Sequence, residues 1–123
     1  MPNLLNSKFT TGAVTVSATS GSGSANVVYT CPGNYSAIIR FLHVSNGTAS
    51  SKKIYIQRFD ASASAYSFIV NGLNMAANTT HDVVSGAFFT LPAGDKVVCY
   101  MESGATMNVT ISAEEYYDPT KIS

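Results

Sequence analysis

The chain has no tryptophan, two cysteines and two histidines in 123 residues, and only 11% of it is charged. Each scarcity excludes something. Cys31 and Cys99 are too few for a disulfide framework. Even with His43 and His81 added, they lack the close-spaced pairs that structural zinc sites use, so two buried thiols and no metal are expected. Seven basic residues balance seven acidic ones, a formal net charge of zero. With no basic cluster to neutralise a row of phosphates, nucleic acid is not an expected partner. Long apolar runs are missing as well: nothing approaches the ~20 residues that span a bilayer, so no membrane partner is expected either. The opening MPNLLNSKFTTG has neither a basic start nor an apolar stretch and does not read as a signal peptide. No segment keeps a helical period for three turns, which leaves no helix N-terminus for a phosphate-cradling loop to enter.

Catalytic constellations are equally thin. His81-Asp82 sits near many serines, but no G-x-S-x-G turn presents a nucleophile, and adjacent residues on a strand point to opposite faces. Glu114 and Glu115 are consecutive for the same reason and cannot face one another as an acid/base pair; they read as solvated charges. The expectation is a protein with no catalytic residues and no cofactor.

What is present is alternation. Apolar and polar residues alternate, with β-branched and aromatic enrichment, over 13–17, 26–31, 35–45, 53–59, 65–70, 81–84, 88–91, 96–102 and 107–116. Pro32-Gly33-Asn34, Asn46-Gly47, Asn71-Gly72, Gly86 and Gly104 supply turns between them. The predicted fold is all-β, a single antiparallel sandwich of jelly-roll type with about nine short strands and no substantial helix. The sandwich is placed at residues 13–118, after a possible N-terminal arm at 1–12 and before a tail at 119–123. ATSGSGSA, residues 18–25, reads as a flexible surface loop, and residues 71–80 as another loop. FFTLPAGDKVVCY, residues 88–100, reads as a hairpin, with Gly94 at positive φ and Leu91, Val97 and Cys99 facing inward.

One strand stands apart. In YSAIIRFLHVS, residues 35–45, simple alternation puts Ile39 and Phe41 on one face and Ile38, Leu42 and Val44 on the other. A sandwich strand with two apolar faces implies cover from another subunit, cover from an arm, or a bulge that shifts register. Leu4, Leu5 and Phe9 add apolar surface outside any clear strand, and Tyr116-Tyr117 points both ways before Asp118-Pro119. The candidate interface is therefore Leu4, Leu5, Phe9, Ile39, Phe41, His43, Tyr116 and Tyr117. A glycan-binding alternative rests on Tyr66, Asn71 and Asn74.

Two stretches, VVYTCPGNYSAIIRFLHVSNGTASSKKIYIQ (27–57) and NTTHDVVSGAFFTLPAGDKVVCYMESGATMNVTISAEEY (78–116), resemble the small β-sandwich virion proteins of tailed bacteriophages. Those proteins share a "vYt-PaG---iir-i-vsN" hairpin, an "l-aGD-i-v" hairpin and a closing acidic strand; this chain departs at Cys31, where valine or alanine is usual. The resemblance implies a virion structural protein with no catalytic residues. It points to a capsid decoration or cement protein, a homo-oligomer taken as a trimer, with itself and the major capsid protein as partners. A neck, tail or fibre-base accessory protein is the alternative within the virion.

Overall fold

In the computed structural model the alternation is carried by nine strands among the described residues, which are the backbone of 3–84 and 89–117 and the side chains from residue 8 onward. The strands are β1 (Asn3–Thr15), β2 (Asn26–Thr30), β3 (Tyr35–Asn46), β4 (Lys52–Asp60), β5 (Ala65–Met75), β6 (Thr79–Val84), β7 (Phe89–Leu91), β8 (Lys96–Met101) and β9 (Met107–Tyr117). Two antiparallel sheets face each other, in the orders β1-β9-β3-β6 and β2-β8-β4-β5, and β7 shares the β3 edge with β6. Of the paired strands only β4 and β5 are neighbours in sequence, the pattern of a jelly roll rather than a meander. Ile39, Leu42, Ile54, Ile56, Leu91 and Ile111 fill the space between the sheets and are fully buried.

The 88–100 segment is not a hairpin. β7 pairs with β3 in one sheet while β8 pairs with β2 and β4 in the other, so Leu91-Pro92-Ala93-Gly94-Asp95 is a corner from sheet to sheet. The turn chemistry is as expected, with Gly94 at φ 87 and Asp95 N–H donating to Pro92 at 3.2 Å. The corner's other backbone bonds go to the end of β2: Cys31 N–H donates to Asp95 and Gly94 N–H to Cys31, both at 2.9 Å. Proline, glycine and aspartate fix a tight reversal and say nothing of which sheet the next strand joins. Leu91, Val97 and Cys99 do face inward, each at 0% exposure.

Strand β3 contains the bulge. Its register against β9 shifts between Ile39 and Phe41, so Ala37 and Ile39 point inward before Arg40 and Leu42, Val44 and Asn46 point inward after it. Ile39 of one apolar set and Leu42 and Val44 of the other thereby reach the core, while Ile38, Arg40, Phe41 and His43 fall on the outside. Ile39, expected at an interface, is a core residue.

Three other expectations change. Residues 3–12 are the first part of β1, paired with β9, so no boundary separates an arm from the sandwich there. The 71–80 segment is mostly strand: β5 runs on to Met75 through Gly72 at φ +75, a conformation open to glycine, and β6 begins at Thr79. Residues 18–25 are tied to the sheet. Met101 N–H donates to Ala18 O at 3.0 Å, Ser22 N–H to Gln57 Oε1 at 2.9 Å, and Asn26 Oδ1 accepts from Ser17 and Ala18. The side chains of Leu4 and Leu5, the 119–123 tail and Phe88 lie outside the described residues.

Candidate functional site

Because directly opposed residues of an antiparallel pair share a face, the registers lay out the outer surface of the β1-β9-β3-β6 sheet in rows. Phe9, Glu114, Ile38 and Thr90 form one row; Thr11, Ser112 and Phe41 the next; Ala13, Thr110, His43 and Asp82 a third. Four residues of the expected interface, Phe9, Phe41, His43 and Tyr116, come together here. Phe9 is 71% exposed, the most open large apolar side chain among the described residues. Phe41 stacks on the His43 imidazole with centroids 5.4 Å apart and planes 12° from parallel. Tyr116 follows from its pairing with Ser36; Tyr117 turns the other way and meets Tyr35 edge-on at 5.5 Å.

The polar groups on this face bond to one another. Arg40 Nη2 donates to Glu114 Oε1 at 2.8 Å, and His43 Nδ1 lies 2.6 Å from Asp82 Oδ1. Hydrogen bonds from Tyr116 and then Arg40 hold the Glu114 carboxyl below its ordinary range. Between these pairs lie Thr11, Ser112 and the Phe41 ring, with Ala13 and Thr110 beside them. Sequence reasoning missed Ile38, Arg40 and Asp82, since only the bulge brings Arg40 to this side and only the β3–β6 register sets Asp82 beside His43.

Glu115, read from sequence as a solvated charge, is 4% exposed and faces the interior end of the sandwich. The Tyr29 hydroxyl donates to its Oε2, and Lys8 Nζ stands 3.6 Å from Oε1. Burial, and then the hydrogen bond to Glu115, raise the Tyr29 hydroxyl far above its ordinary range. Burial, with Glu115 and Asp95 adding, pushes the Cys31 thiol up to about 12, and burial alone does the same to Cys99. Both cysteines are free thiols. Among the described residues, no three His, Cys, Asp or Glu side chains gather where they could hold a metal.

The outer face of the β2-β8-β4-β5 sheet is aromatic. The rings of Tyr55 and Tyr100 are stacked at 4.5 Å with planes 1° apart. Gly21 lies so close to Tyr100 that a Cβ there would fall 2.7 Å from Cε1, and one on Gly72 would fall 3.2 Å from Tyr55 Cε2. The two rings are thus occupied by each other and by flanking backbone. Tyr66, proposed from sequence for a glycan, packs on Phe59 at 4.8 Å. Asn71 and Asn74 are exposed along β5.

No protein-family model and no curated protein matches the chain. Among solved structures, a protein of Bacillus endospore appendages, described as a family of disulfide-linked pili, is similar with a TM-score of 0.52 at 14% identity, over 91% of this chain and 87% of that one. The globular domain of zebrafish complement 1qA protein overlaps with a TM-score of 0.45 at 14% identity, over 84% and 94% of the two chains. A chain of the cyanophage Pam1 capsid asymmetric unit gives 0.42 at 17% identity, over 93% and 86%. The first likeness is one of fold alone, and the other two are looser still.

Proposed function

We propose that the chain is a non-enzymatic structural protein of a tailed-phage particle, a decoration or cement protein that self-associates and binds between major capsid subunits. The observation that carries this reading is the outer face of the β1-β9-β3-β6 sheet. Arg40 and Asp82 each have a hydrogen-bonding partner on the face, Glu114 and His43, its small side chains are uncharged, and Phe9 stands open beside Ile38 and Phe41. A face of that kind offers apolar rings and small groups for an assembly contact to cover, while its two polar pairs keep their partners when water leaves. A symmetric oligomer touching several capsid subunits multiplies weak contacts into firm attachment. A trimer is the state that the sequence resemblance leads us to expect.

The test is the mass of the chain in solution and its retention on heads prepared without it. Phe41→Asp places a charge at the centre of the face and should dissociate the oligomer and abolish retention while leaving the melting temperature near that of the parent. A chain that stays monomeric at every concentration and never binds heads would sink the decoration reading. Recovery of the chain from particles at a few copies each, rather than hundreds, would move it to the neck or tail.

A further inference from the structure

Sheet edges differ in how well they are closed to strangers. An edge strand offers unpaired N–H and C=O groups to any passing strand, and monomeric proteins blunt such edges with charges, prolines, bulges or short length. β2 is five residues long, with a register shift between Val27 and Tyr29. β5 shifts twice against β4, between Ile54 and Tyr55 and between Ile56 and Gln57. β7 is three residues long, and β6 is broken from β3's register between Leu42 and His43. β1 has its one shift against β9 near its start, between Asn3 and Lys8, and is regular beyond it. From Lys8 to Thr15 it keeps unbroken register with β9, and among the described strands it pairs with β9 alone.

That edge has no proline and one charge. Lys8 is already engaged, 3.6 Å from Glu115 and 5.1 Å from the centroid of the Tyr35 ring. Phe9 to Thr15, FTTGAVT, is uncharged throughout. Phe9, Thr11, Ala13 and Thr15 point outward, as their opposition to Glu114, Ser112, Thr110 and Asn108 requires.

We propose that the free edge of β1 pairs antiparallel with β1 of a second copy across a two-fold axis at Thr11, joining two sheets into one. The inference rests on the self-association reading above and names the strand that performs it. Two features select a copy of this chain as the occupant. Self-pairing of an uncharged strand brings no like charges together. Register parity supplies the second: opposed residues must share a face, so the axis passes through a residue, and at Thr11 it sets Phe9 of each copy against Ala13 of the other. The exposed ring then covers a methyl group twice over. An axis at Gly12 would instead set Phe9 against Thr15, whose hydroxyl already donates to Asn108 Oδ1 at 3.0 Å. In a trimeric assembly this contact joins trimers in pairs.

The experiment pairs amide exchange with a designed cross-link on the full-length chain. β1 amides pointing away from β9 should exchange fast in dilute solution and slow as concentration rises, in alternation along Phe9 to Thr15. Thr11→Cys should form a covalent dimer on mild oxidation, whereas Ser45→Cys on β3 of the same face should not. Thr11→Lys should weaken association about tenfold, since it sets like charges side by side at the axis. Association that persists with unprotected β1 amides and no Thr11→Cys dimer overturns the edge pairing while leaving the face reading intact. Protection that appears only when heads are added assigns the edge to another protein's strand and overturns self-pairing. A monomer at all concentrations overturns both.

Discussion

Asp95 should be among the costliest polar side chains to remove. It closes the corner between the sheets and is 3% exposed. Its Oδ2 accepts from Arg58 Nη2 at 2.7 Å and its Oδ1 from the Ala61 N–H at 3.1 Å. Hydrogen bonds to a charged group contribute about 1.5–3 kcal/mol each. The Arg58 side chain is 37% exposed, so its released guanidinium regains water and the ion-pair part belongs at the low end. Asp95→Ala should therefore cost about 3–4 kcal/mol, a fall in melting temperature of about 10–15 °C for a chain of this size. Asp95→Asn keeps an acceptor for Ala61 but turns a donor toward Arg58, and should cost about half as much. Urea unfolding followed by far-UV circular dichroism reads both, with an unchanged m-value marking a change in stability rather than compactness. A double-mutant cycle with Arg58→Ala should return a coupling of about 1 kcal/mol or more. An Asp95→Ala protein within ~0.5 kcal/mol of the parent, or an Asn variant as unstable as the Ala variant, would refute the assignment.

Adjacent isoleucines test the bulge: Ile39→Ala should lose about 2–5 kcal/mol and Ile38→Ala under about 1, and equal losses would mean that the register shift lies elsewhere. The thiols of Cys31 and Cys99, pushed up to about 12 by burial, should resist a disulfide reagent at pH 8 in the native protein and react once it is unfolded. Rapid native labelling of either would contradict its burial. Gly21→Ala should destabilise by about 1–3 kcal/mol through contact with Tyr100, although its φ of −92° suits alanine. Combining it with Tyr100→Ala should remove most of that cost, leaving the 3.0 Å approach to Gln57 Oε1, and a cost undiminished in the Tyr100→Ala background would place its origin elsewhere.

The strands were legible because period-two alternation and turn residues are local signals, and each of the nine expected segments contains an observed strand or overlaps one. What stayed hidden depends on contacts between distant segments. Leu91 to Asp95 reads identically as a hairpin and as a corner, and the difference lies in the partners of β7 and β8. Arg40 carries no local mark of a bulge; only the fact that Ile39 and Leu42 both need the core hints at one. Glu115 looks like a surface acid until Tyr29 and Lys8 arrive from segments far up the chain. The Gly/Ser composition of residues 18–25 predicted slackness, but glycine at position 21 is what lets the loop lie against Tyr100. Of the eight interface residues, four share a face because strand parity carried them there, while Ile39 was lost to the bulge.

The strand order has a kinetic consequence. β9 is the central partner of both β1 and β3, and it is the last strand to be made among those described. As the chain leaves the ribosome, β4 and β5 can close on each other at once, being neighbours in sequence. β1 and β3 must wait with open edges and uncovered apolar faces until β9 emerges and slots between them. Folding of this topology is therefore set by slow long-range closure, and a nascent chain stalled before Met107 presents two unsatisfied strands to its neighbours on the same polysome. In a cell turning out many copies at once, the hazard is pairing with the wrong copy before the right strand has been synthesised.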